Sequence, residues 1–88
     1  MSILNTPDVV SVWLENGVPA GIEWNGIRYL VTDTPTPIRG SILHELITHP
    51  LEPMLGWRFQ GTSDAGETHV FDVHAQLRGG WELVALYD

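Results

Sequence analysis

The string His-Glu-Leu-Ile-Thr-His, which starts at His44, contains residue types that could bind a metal ion. The zinc-protease motif H-E-x-x-H has its two histidines four residues apart on one helical face, whereas His49 lies five residues after His44. On a helix this spacing turns the second imidazole by about 140°, so the two side chains cannot easily share one tetrahedral metal ion. Pro50 follows at once. The sequence therefore favours a solvent-exposed helix end over a metalloprotease.

Asp72 and His74 form a second group with metal-ligand chemistry. Alternation along a strand places these two side chains on one face and His69 on the other. Asp72 and His74 could supply two metal ligands, or a histidine oriented as a general base. The simpler interpretation is a polar outward face, because a catalytic site needs a third converging group that the sequence does not locate. A metal-dependent enzyme or accessory protein that uses these residues is the alternative function.

Aromatic residues are the other candidates for a functional site. Most of them fall on predicted inward faces, which favours a role in the core. Six strands have limited room for large rings, and a ring left exposed would mark a peptide site or a cation-binding cage. The candidate binding residues are Trp13, Trp57, Trp81 and Tyr87. Apolar residues in the segment 42–54 could also pair two protomers, so a homodimer stays open.

The composition excludes several classes of function. The 88 residues include four arginines, no lysine and 11 acidic residues, for a net charge of −7. Nucleic-acid binding needs clustered basic residues, so we predict no nucleic-acid partner. The absence of cysteine excludes disulfides and thiolate sites and is compatible with a reducing cytoplasm. We see no signal peptide and no apolar run of about 18 residues, and we predict a cytoplasmic protein without a membrane partner.

Two Asn-Gly pairs, at positions 16–17 and 25–26, organise the first half of the chain. Asn-Gly favours the type I′ turn of a two-residue hairpin, and such a turn fixes the strand register. We expect Trp13 opposite Ala20 in a three-stranded meander. The predicted inward face of this meander consists of Val9, Trp13, Ala20, Ile22, Trp24, Ile27, Tyr29 and Val31.

A second meander is predicted over residues 56–87. Asp64-Ala65-Gly66 is typical of a three-residue loop that ends on a left-handed glycine. This loop length places Phe59 opposite Phe71. A further turn at 76–80 leads to the last strand.

The segment 34–55 separates the two meanders. Ser41 is placed to cap a short helix that ends before Pro50. Closure of six antiparallel strands would protect their edges. We therefore predict one all-β domain over residues 1–88. It consists of two antiparallel three-stranded meanders that form a small barrel or sandwich, with a short helical or irregular insert between them.

Two stretches carry a family resemblance. Residues 17–31 contain G-x-P followed by x-W-x-G-x-x-Y-x-V, and residues 81–88 read W-x-L-x-x-x-Y-D. Both resemble the pattern of a family of small uncharacterised actinobacterial proteins, and the absence of lysine fits a high-GC genome. The resemblance covers about half the chain and departs from the family in the segment 37–55, where a tryptophan is expected. It implies a β fold and assigns no catalytic residue.

These observations together favour a small, acidic, non-catalytic protein-interaction module over an enzyme. The expected partner is a protein or a peptide, and no cofactor is predicted. Catalytic residues are not assigned, because none of the acidic or histidine groups has a third member at a defined position.

Overall fold

The computed structural model describes residues 2–39, 54–77 and 79–87. These ranges contain seven strands: β1 Ser2–Glu15, β2 Val18–Trp24, β3 Ile27–Val31, β4 Thr36–Arg39, β5 Met54–Ser63, β6 Thr68–Ala75 and β7 Trp81–Tyr87. Their order in the sheet is β3-β2-β1-β7-β6-β5-β4, and β3 also pairs with β5. The β3–β5 pairing closes six strands into an antiparallel barrel, and β4 extends the sheet beside β5. The described residues contain no helix long and apolar enough to cross a membrane.

The barrel confirms the all-β prediction and corrects the predicted insert. The start of the segment 34–55 is partly strand, because β4 pairs with β5 and places Thr36 opposite Arg58. The described part of this insert contains no helix, and Met54 already belongs to β5. The helix predicted from Ser41 lies outside the described residues.

Both Asn-Gly pairs form the predicted tight turns. The φ angles at the turn residues are 54° at Asn16, 81° at Gly17, 53° at Asn25 and 75° at Gly26. A type I′ turn requires this left-handed conformation at both central residues, and asparagine and glycine tolerate it best. The second turn produces the predicted register between β2 and β3, with Trp24 opposite Ile27 and Ile22 opposite Tyr29.

A β-bulge between β1 and β2 overturns the face predicted for β1. Trp13 pairs with Gly21 instead of Ala20, so Ala20 is an extra residue in β2. One extra residue moves every side chain of the partner strand beyond it to the opposite face. Val10 is consequently buried in the core, whereas Val9, which we predicted to be buried, is 76% exposed. The prediction that Val9 and Trp13 face the interior is wrong for this reason.

Aromatic and aliphatic side chains fill the barrel interior. The fully buried side chains are Ile22, Tyr29, Phe59, Phe71, Val73 and Leu83. Phe59 lies opposite Phe71, as the three-residue loop predicted, and the centroids of the two rings are 5.8 Å apart. Large rings bury much apolar surface per residue, which a small domain needs.

Strands β5 and β6 approach each other closely at Gly56. A Cβ atom at this position would lie 1.8 Å from the carbonyl oxygen of Val73. Real Cβ atoms do not approach backbone oxygen so closely, so only glycine fits without a shift of one strand.

Candidate functional site

The barrel wall opens where β3 leaves β2. The pairing of these strands runs from the second turn to the pair Gly21–Leu30. Beyond Leu30 the chain follows β5, because the backbone N–H of Thr32 donates to the carbonyl oxygen of Gln60 at 2.9 Å. The Asp33 carboxylate accepts a hydrogen bond from the backbone N–H of Gln60, also at 2.9 Å. These bonds hold the start of the β3–β4 connection on β5 and away from the beginning of β2.

A groove of about 460 Å³ lies at this divergence. We call it the hairpin groove, and we define it by Glu15, Val18, Leu30, Asp33 and Pro35. Val18 is 39% exposed and Leu30 is 53% exposed. The groove therefore combines exposed apolar side chains with two carboxylates.

Trp13 continues this surface across the outer wall of the barrel. Gly21 is the strand partner of Trp13 on one side and of Leu30 on the other, so the three residues form one row across β1, β2 and β3. The buried Ile22 faces the interior, and alternation therefore turns this row outward. The indole ring lies over Gly21, where a Cβ atom would be 2.0 Å from its Cζ2. The Arg28 guanidinium lies 5.4 Å from the ring centroid.

The other three predicted aromatic residues have different surroundings. Trp57 and Trp81 are partly buried and pack against the core cluster. Tyr87 lies under the Arg58 guanidinium, which is 5.1 Å from the centroid of its ring. Of the four predicted binding residues, Trp13 is the one that shares a strand row with a side chain of the hairpin groove.

Asp72 is the buried centre of a hydrogen-bond network. Its Oδ1 accepts from Nε of Arg58 at 2.7 Å, and its Oδ2 accepts from Nη2 of Arg58 at 2.8 Å and from the Tyr87 hydroxyl at 3.0 Å. The hydrogen bond to Asp72 holds the pKa of Arg58 above its usual value. Burial raises the pKa of Tyr87, and its hydrogen bond to Asp72 adds to this effect.

This network bears on the alternative metal site at Asp72 and His74. A metal ion at Asp72 would have to displace the bidentate Arg58 guanidinium, whose paired hydrogen bonds are among the strong ones in proteins. His74 lies on the same strand, opposite Glu82 of β7. The described residues contain no group of three histidine or acidic side chains that could hold a metal ion. His44 and His49 lie outside the described residues.

A second cluster, which the sequence analysis missed, joins Tyr29, Glu67 and His69. The Tyr29 hydroxyl donates to Oε2 of Glu67, and Nε2 of His69 lies 2.9 Å from the same oxygen. Burial raises the pKa of Tyr29 to about 12, with a further contribution from Glu67. The hydrogen bond from Tyr29 lowers the pKa of Glu67. This cluster ties β3 to the β5–β6 hairpin, and the Glu67 side chain at its centre is half exposed.

The comparisons with known proteins assign nothing further to these sites. No family model, no curated protein and no solved structure matches the chain. The resemblance to small actinobacterial proteins therefore stays a prediction from the sequence.

Proposed function

We propose that this chain is a non-catalytic protein-interaction module that binds a segment of a partner protein in the hairpin groove. The observation that carries the proposal is the exposure of Val18 and Leu30 in a shallow, open groove of the wall. Exposed apolar side chains that form a contiguous surface are typical of interaction sites. Trp13 extends this surface, and tryptophan is enriched among residues that dominate binding energy.

The surroundings of the other polar clusters favour binding over catalysis. Asp72 is buried and is held by Arg58, and Glu67, whose side chain is half exposed, accepts a hydrogen bond from Tyr29. A general acid or base must reach a substrate proton directly or through one water molecule. Neither carboxylate lines the hairpin groove. The groove itself offers apolar contact with polar residues around it, as the centre and rim of an interface do.

Selection from a random-peptide display library tests this proposal. The affinity of the selected peptides is measured by fluorescence anisotropy for the wild type, for Leu30→Asp and for the control variant Leu77→Asp. Leu77 is an exposed leucine in the β6–β7 turn and does not line the hairpin groove. We expect the peptides to bind the wild type and Leu77→Asp equally. Binding to Leu30→Asp should weaken by at least about tenfold, because the peptide loses a buried apolar contact.

Circular dichroism of both variants shows whether the aspartate leaves the barrel folded. Peptides that bind Leu30→Asp as tightly as the wild type would place the binding surface elsewhere and contradict the proposal. A selection that returns no specific peptide would contradict it as well.

A further inference from the structure

The hairpin groove carries negative charge on two different segments of the chain. Glu15 comes from the end of β1, and Asp33 comes from the connection between β3 and β4. Asp33 is held in position because one of its oxygens accepts the Gln60 N–H. None of the residues that line the groove is basic. Since the whole chain has a net charge of −7, the surrounding field adds to these two local charges.

The shape of the groove favours an extended occupant. One side is formed by the start of β2, at Val18, and the other by the chain that runs from Leu30 to Pro35. Val18 belongs to the extended strand β2, whereas the other side leaves β3 after Val31 and bends at Asp33. Before Gly21, β2 is not paired with β3, so a peptide that lies beside this part of β2 can follow it as a strand, with alternate side chains pointing into the groove.

We infer that the hairpin groove binds an extended peptide segment in which one apolar side chain is flanked by lysine or arginine. This inference rests on the proposed function, because it names the partner of the same groove. The apolar side chain contacts Val18 and Leu30, and the flanking cations approach Glu15 and Asp33. Acidic segments are rejected, since a like charge beside these carboxylates is repelled.

Three synthetic peptides test the inference. They share a central leucine and differ only in the flanking positions, which are lysine, alanine or glutamate. We expect the lysine peptide to bind at least about tenfold more tightly than the glutamate peptide, and its affinity to fall as salt is added.

Matched variants locate the charges that are responsible. Glu15→Gln and Asp33→Asn should each weaken binding of the lysine peptide by about threefold, as expected for the loss of one partly exposed ion pair. Both variants should bind the alanine peptide as tightly as the wild type does. Asp33→Asn keeps a side-chain oxygen for the Gln60 N–H, so the groove retains its shape. The control Asp64→Asn removes the same charge from the 64–66 loop, outside the groove, and should change nothing.

The outcomes separate this inference from the proposed function. If all three peptides bind the wild type equally and lose affinity for Leu30→Asp, the inference of a cationic partner is wrong, but the groove is supported as a binding site. Peptide binding that survives Leu30→Asp would contradict both. If none of the three peptides binds at up to about 1 mM, the inference is wrong. The library selection then decides the proposed function separately.

Discussion

Substitution of Gly21 by alanine should displace the Trp13 ring from β2. The added Cβ would lie 2.0 Å from Cζ2, 2.4 Å from Cε2 and 2.6 Å from Cη2 of the indole. Carbon atoms normally pack at about 3.5–4.0 Å, so the ring must move by about 1.5 Å. The movement also separates the ring from the Arg28 guanidinium, which now lies 5.4 Å from its centroid.

The expected loss of stability can be estimated from these contacts. Exposure of about 50 Å² of the indole costs about 1.3 kcal/mol. The weakened cation–π contact costs about 0.5 kcal/mol. Alanine leaves the unfolded chain with less backbone freedom than glycine does, and this effect stabilises the folded state by about 0.5 kcal/mol. We expect a net loss of about 1.3 kcal/mol, which lowers Tm by about 5–10 °C in a domain of this size.

A double-mutant cycle isolates the contact responsible. Thermal unfolding is followed by circular dichroism for Gly21→Ala, Trp13→Ala and the double variant, and the tryptophan emission of Gly21→Ala should shift to longer wavelength. In the Trp13→Ala background the new Cβ meets no ring, so the alanine should cost nothing. Equal losses in both backgrounds, with a coupling energy below about 0.5 kcal/mol, would refute this account of the Trp13 position.

Four further predictions concern the close approach of β5 and β6 and the two hydrogen-bond networks. Gly56→Ala should lower the free energy of unfolding, measured by urea denaturation, by about 3 kcal/mol, because its Cβ would lie 1.8 Å from a carbonyl oxygen of β6. A variant as stable as the wild type would contradict the close approach of the strands. Arg58→Ala should cost about 1–3 kcal/mol by the same measurement, because it leaves the buried Asp72 carboxylate without its bidentate donor. Arg58→Lys should recover only part of the loss. In a phenolate absorbance titration one tyrosine, Tyr29, should ionise near pH 12. Because the pKa of Tyr29 is raised in the folded protein, Tyr29 contributes fully to stability below pH 10, and this contribution is lost as the pH rises towards 12. Glu67 has a lowered pKa, so its contribution is complete above about pH 4.5 and is lost as the pH falls through its folded-state pKa. The Tm difference between the wild type and Glu67→Gln should therefore be largest near neutral pH and vanish in acid. A Tm difference that does not change with pH would contradict the hydrogen bond between Tyr29 and Glu67.

Local turns could be predicted from the sequence because a few residues determine each of them. Asn16 and Asn25 adopt positive φ beside glycine, and Gly66 ends the three-residue loop at a φ of 87°. The turn residues also determine the register of the strands that they join, which is why Phe59 lies opposite Phe71 as expected. These relations involve neighbours in the chain, so composition and order are sufficient to infer them.

The bulge at Ala20 could not be predicted, because β1 has apolar residues on both faces: Val9 and Trp13 lie on one, and Val10 and Val12 lie on the other. The sequence of β1 therefore fits either register. Its effect depends on the register between Trp13 and Gly21, which exists only after β1 and β2 have paired. The hairpin groove was missed for a related reason. It forms because the chain after Leu30 follows β5, and that pairing joins segments far apart in sequence. The same long-range closure places Tyr29 beside Glu67.

The seam between β1 and β7 has a consequence for how fast the barrel assembles. Ser2 pairs with Leu86, so this seam joins residues from almost the whole length of the chain. Each hairpin closes a short loop, whereas formation of the seam closes a loop of nearly the entire chain. The loss of chain entropy on closure is therefore larger for the seam. Small barrels with such high contact order fold in about milliseconds to seconds. We therefore expect the β1–β2–β3 meander to form early in folding and the β1–β7 seam to close last.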